Sequence, residues 1–284
     1  MNASTSPQAA LNIRDLEVPG AQSLLAARIY TSGQPRLKRD SLIVFFHGGG
    51  FVGGDLDEAD EFLRHVVLCS PEHIVLASNY TLATVRPFPA AVEDAHAVLQ
   101  WSKKNKAKLG WTGKQLIVSG IEAGANLAAV CALMARDRGG PALAGQILIM
   151  PMLDPGQTTC SMREMPSCPE LAAVASACAA GYSGYLPNAA DRTHPYASPL
   201  QSSRLKNLPP ALILSSEDDP LRDEAEQYGA KLIGCGITTT VKRLPAMPLQ
   251  EPGARNECAC KVYAMGEIAG FIATLDQELK EPSS

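Results

Sequence analysis

Short apolar runs rich in β-branched residues, separated by helical patterns, constrain the fold of this chain more than any other feature. The runs cover residues 42–46, 74–78, 115–119, 145–150, 211–215 and 238–243, each bounded by turn residues. Brevity and near-continuous apolarity are the marks of strands buried on both faces. Helical periodicity fills the intervals at 57–69, 88–104, 123–138, 221–233 and 261–279. Strands alternating with helices predict an α/β chain with a mostly parallel sheet covered on both faces. Residues 24–30 add an antiparallel edge strand. The stretch 154–191, rich in Ala, Ser, Met and Cys, breaks the rhythm and reads as a helical cap inserted at about 155–193 in a single domain spanning 1–284. A cap there covers the carboxyl edge of the sheet, where open α/β sheets bind ligands.

Composition narrows the function. The 284 residues carry 25 Lys+Arg against 29 Asp+Glu, a net charge of −4, which argues against nucleic acid or an anionic membrane as partner. With 46% hydrophobic residues the chain has ample material for a core, and disorder is excluded. No apolar run reaches the roughly 18 residues needed to span a bilayer. The first fifteen residues lack a basic segment followed by an apolar one, so no signal peptide is read. The eight cysteines match no zinc spacing and read as the reduced thiols of a cytoplasmic protein. No cofactor is implied: there is no phosphate-cradling loop, dinucleotide fingerprint or metal cluster in the sequence.

Two motifs carry chemistry. His47-Gly48-Gly49-Gly50 follows directly on the strand at 42–46, and its glycines leave backbone N–H groups uncovered, as binding a developing oxyanion requires. Gly120-Ile121-Glu122-Ala123-Gly124 lies between a predicted strand and a predicted helix. Its frame is the G-x-S-x-G nucleophile elbow, with Glu122 in place of serine.

In that order the motifs resemble the hormone-sensitive-lipase branch of the carboxylesterases, a family with the α/β-hydrolase fold. Phe88-Pro89-Ala90-Ala91-Val92-Glu93-Asp94-Ala95, Tyr196-Ala197-Ser198-Pro199-Leu200 and Asp218-Asp219-Pro220-Leu221-Arg222-Asp223-Glu224 are similar to family stretches, and the last implies Asp219 as the triad's acid. The departures are as telling. The family elbow reads G-D-S-A-G-G. The family's histidine stretch is matched by Leu244-Pro245-Ala246-Met247-Pro248-Leu249-Gln250, which puts Leu249 at the histidine position. Of the five histidines the last is His194, so none follows Asp219. Family members usually carry several tens of residues of cap before their first strands. The short N-terminal segment here therefore implies a more open pocket, or one closed by a partner chain. They often dimerise through the last strand, which leaves a homodimer as an expectation.

A serine esterase needs a nucleophile, a base and an acid, and only the acid remains here. Glu122 has two readings. As a plug, its carboxylate accepts from the N–H groups of Gly48, Gly49 and Ala123. As acid–base, it faces an apolar cleft with a raised pKa. Asp219 without a histidine reads as a cap of the following helix, with Pro220 at the first helical position. His47 is expected to orient the glycine loop. Tyr80 and Tyr182 are candidate pocket donors, while His194 and Arg86 have structural or surface roles by default.

Three functions follow. The leading one is a hydrolase-fold protein without the Ser-His pair that binds a small, largely apolar molecule under the cap. The same family includes a plant hormone receptor that lost its histidine. The second is a lyase, cyclase or isomerase using Glu122 beside the glycine loop. The third is an atypical ester hydrolase in which Glu122 activates water.

Overall fold

The most continuous apolar runs form the middle of the sheet. The computed structural model describes residues 11–34, 37–164, 167, 169–246 and 254–280. In chain order its elements begin with strands β1 (Leu11–Pro19), β2 (Leu24–Ser32) and β3 (Ser41–Phe46). Helix α1 (Asp60–Cys69), strand β4 (His73–Ser78), and helices α2 (Ala90–Lys104) and α3 (Lys106–Leu109) follow. Next come β5 (Gln115–Ile121), α4 (Ala123–Asp137) and β6 (Gly145–Ile149), then α5 (Cys160–Glu164) and α6 (Pro169–Tyr185). The chain continues through β7 (Ala211–Ser216), α7 (Arg222–Gly234), β8 (Thr239–Leu244), α8 (Ala254–Cys260) and α9 (Val262–Lys280).

The eight strands make one sheet in the order β1-β2-β4-β3-β5-β6-β7-β8, an α/β-hydrolase architecture. Strands β3 to β8 run parallel, while β1 and β2 pair antiparallel with their neighbours. Every residue of β3, β4, β5, β6 and β7 is buried, which is why those strands read as unbroken apolar runs. Two apolar layers cover the sheet. On one face Val92 and Leu99 of α2, Leu127 of α4 and Tyr228 of α7 join one core. On the other, Phe62 of α1, Cys258 of α8 and Ile268 and Ile272 of α9 share a second core with Phe45 and Ile117. Among the described residues no single helix is long and apolar enough to cross a membrane.

One expectation is corrected. The antiparallel strand read at 24–30 is not the edge, because β1 pairs outside it along its whole length. Strand β1 escaped the sequence reading because, lying at the rim, it is largely solvated. It carries Asn12, Arg14, Asp15 and Glu17 where a central strand carries aliphatic residues.

Between β6 and β7 the chain leaves the sheet for α5, α6 and a 3₁₀ turn at Ala189–Thr193. Helix α6 lies on the glycine loop. A Cβ added at Gly181 would come within 2.6 Å of the Gly50 carbonyl oxygen, and the Phe51 ring stacks on Tyr185 at 3.8 Å.

Candidate active site

The elbow is formed where β5 ends and α4 begins. Glu122 sits between them at φ 54° and ψ −113°, a conformation that costs a non-glycine residue of order 1–3 kcal/mol. It persists because its surroundings leave no alternative. The Glu122 N–H donates to the Ile149 carbonyl at 2.9 Å, and its own carbonyl accepts from Met152 N–H at 3.1 Å and Asn126 N–H at 3.2 Å. Gly120 and Gly124 are required by close approach. A Cβ on Gly124 would overlap the Phe46 and His47 carbonyl oxygens, and one on Gly120 would overlap the backbone of Gly124.

The glycine loop arrives from β3 beside this turn. Gly49, Gly50 and Phe51 all have positive φ, at 96°, 61° and 67°. His47 secures the loop rather than facing open space. Its Nδ1 donates to the Gly48 carbonyl at 2.8 Å, and its ring stacks on Tyr80 at 4.4 Å. The Tyr80 hydroxyl donates to the carbonyls of His47 and Gly48 at 3.2 and 3.1 Å. Burial pushes the His47 pKa below 6.5, with the bond to Gly48 partly opposing it, so the ring is held neutral near pH 7.

Glu122 turns its carboxylate into this loop. Oε2 accepts the Gly49 N–H at 2.8 Å. Of the three donors expected for a plug (Gly48, Gly49 and Ala123), Gly49 alone makes this bond among the described residues, and Ala123 starts α4. The carboxylate also does not face an apolar cleft, because Oε1 lies 3.5 Å from Nη1 of Arg255. The sequence reading missed Arg255. It stands near the start of α8 and grips Asp219 with two hydrogen bonds, Nε to Oδ2 at 3.0 Å and Nη2 to Oδ1 at 2.9 Å. The side chains of Asp219, Arg255 and Glu122 are 0%, 14% and 15% exposed, so this is an interior ion cluster. Burial opposes the charge on Arg255, but Asp219 and then Glu122 outweigh it and push its pKa well above the usual arginine value. No local pattern marks it, because Arg255 lies 36 residues beyond Asp219 and meets it only in the fold.

Asp219 differs from the cap expected of it. Helix α7 begins at Arg222, so Pro220 precedes the helix instead of opening it. Asp219 Oδ1 accepts the Leu221 N–H at 2.9 Å, closing a turn ahead of α7 while its carboxylate is pinned by Arg255. Leu249 lies outside the described residues.

The cap contributes Cys178, whose Sγ is 4.0 Å from Arg255 Nη2 and whose thiol burial pushes up to about 12. One turn on, the Tyr182 hydroxyl donates to Oε2 of Glu224 at 3.2 Å and accepts the Asp154 N–H at 3.1 Å. The same Glu224 oxygen accepts from the N–H groups of Leu153 and Asp154, while Oε1 has no hydrogen-bond partner among the described residues. Burial raises the Glu224 pKa well above 4.5, and the backbone bonds oppose this only in part. His194 stands against the rings of Phe88 and Tyr196, away from the ion cluster.

This elbow, glycine loop and acid turn on one sheet edge are those of a hydrolase fold, and comparison with known proteins agrees. Residues 43–250 match a family model described as alpha/beta hydrolase fold. Esterase LipI of Mycobacterium tuberculosis is 35% identical over 235 residues, covering 81% of this chain and 72% of LipI. An arylesterase of Saccharolobus solfataricus is 31% identical, covering 80% of this chain and 72% of its own. Among solved structures, the Pyrobaculum calidifontis esterase superposes with a TM-score of 0.81 at 34% identity, over 94% of this chain and 85% of that one. The chain belongs to this alpha/beta-hydrolase family and is esterase/lipase-like.

Proposed function

We propose that this chain uses the esterase scaffold to bind a small, largely apolar molecule beneath the cap, without ester hydrolysis by a Ser-His-acid triad. One observation carries the reading: the group standing between Asp219 and the elbow side chain is the guanidinium of Arg255. Triad chemistry requires a base in that place, one that takes a proton from the nucleophile and returns it to the leaving group. A guanidinium has no acceptor and no accessible neutral form, so it cannot do this. The elbow side chain is itself a carboxylate that occupies the Gly49 N–H, one of the donors an oxyanion would use.

Its relatives carry esterase names, so hydrolysis is the comparison to make. The test is turnover of short-chain p-nitrophenyl esters by the wild type and by Glu122→Gln, side by side across pH. Equal rates at the protein-free blank support the binding role. Turnover above the blank that collapses in Glu122→Gln overturns it in favour of chemistry at Glu122. In parallel, a ligand panel read by thermal unfolding should yield apolar compounds that raise Tm, since binding to the folded state alone stabilises it.

A further inference from the structure

A second cluster lies at the opposite edge of the sheet, where β3 and β4 begin. His73 opens β4 with its side chain fully buried, and neither ring nitrogen makes a hydrogen bond among the described residues. A buried imidazole is ordinarily hydrogen-bonded, so this one calls for an explanation. Two carboxylates flank it: Glu72 Oε1 lies 3.6 Å from Nδ1, and Asp276 Oδ2 lies 3.3 Å from Nε2. Asp276 comes from the far end of α9, and its other oxygen is held by the Ser41 hydroxyl at 3.2 Å. One donor atom from each of the three side chains falls within 4.8 Å of the other two.

The spacing also suits two ligands of one ion. Asp276 Oδ2 is near enough to Nε2 to accept a hydrogen bond, yet is not aligned to do so. Two ligand atoms each ~2.1 Å from one ion, and ~105° apart, stand ~3.3 Å from each other. That is the separation of Nε2 and Asp276 Oδ2. Glu72 is half-exposed and stands beside the other ring nitrogen, so its carboxylate has to turn toward the Nε2 side to become the third ligand.

We propose that Glu72, His73 and Asp276 form a divalent-cation site, clipping the end of α9 to the start of β4. One imidazole and two carboxylates suit Mn²⁺ or Zn²⁺, with water filling the remaining positions. The site is independent of how the elbow is read. No sequence pattern announces it, because the ligands come from an adjacent pair and from a helix at the other end of the chain.

The probe is Mn²⁺, which avoids the thiol-binding tendency of Zn²⁺, followed by loss of the free-ion electron paramagnetic resonance signal. The full chain should take up one equivalent saturably and unfold at a higher temperature with the ion than in chelator. Glu72→Gln and Asp276→Asn should each weaken binding by about tenfold or more. Both side chains reach the surface, and circular dichroism establishes that each variant is folded before it is titrated. No saturable uptake at millimolar Mn²⁺, or uptake unchanged in either variant, overturns the proposal.

Discussion

At the elbow, between β5 and α4, the backbone keeps a strained turn that glycine neighbours alone permit. Across the site, a guanidinium on α8 is brought up to the acid that lies between β7 and α7. The first region is set by close approach of backbone to backbone: Gly120 against Gly124, and Gly124 against the carbonyls of Phe46 and His47. The second is set by charge, since Asp219 is wholly buried and needs a cation once no histidine follows it. Steric constraints of the first kind act on the glycines around position 122. Electrostatic constraints of the second kind couple distant positions, and here Glu122, Asp219 and Arg255 share one ion cluster. The backbone contacts thus hold the turn, while the charges tie together residues far apart in the chain.

Substitution at the backbone contact should have the largest effect. Gly124→Ala forces a methyl group into two carbonyl oxygens and should cost at least ~4 kcal/mol by urea denaturation. A loss below ~1 kcal/mol would mean that the elbow yields easily, and would break the contrast between the two regions. Next is Arg255→Gln, which leaves Asp219 buried without its cation and should cost ~3 kcal/mol. A smaller loss in Arg255→Gln when Glu122→Gln is already present would establish that the three groups act as one cluster.

Glu224 tests the cap side of the site by pH. Burial raises its folded pKa above its usual 4.5, so the folded protein holds a proton that the unfolded chain releases. The stabilisation is complete below the unfolded value and is lost as pH rises through the folded one. Unfolding free energy should therefore fall with rising pH above about 4.5, with a slope of up to ~1.4 kcal/mol per pH unit from this group. Glu224→Gln, which cannot ionise, should flatten that slope, and equal slopes in the two proteins would refute a retained proton. The smallest effect is expected from Glu122→Gln alone. An amide oxygen still accepts the Gly49 N–H, and the contact to Arg255 is a long 3.5 Å, so the change should cost ~1 kcal/mol.

Sequence and structure divide along these same lines. The central strands were legible because burial on both faces leaves an unbroken apolar run. The rim strand β1 was not, because a solvated edge carries Arg14, Asp15 and Glu17 and looks like a loop. Glu122, Asp219 and the glycine loop could be placed from their spacing in the chain. The partner of Asp219 could not, since Arg255 meets it through packing of α8 against α1 and α9 rather than through any local pattern.

By itself, then, the sequence determined the alternation of the central strands and helices, the glycine turns and the absence of a histidine after Asp219. All of these are written in neighbouring residues, whose periodicity and spacing act locally. The tertiary structure alone decided that Arg255 would stand between Asp219 and Glu122, and that His73 would lie between Glu72 and Asp276. Burial makes both outcomes matter. In the interior a charged or polar group must find a partner wherever the fold supplies one, and sequence distance does not limit that choice.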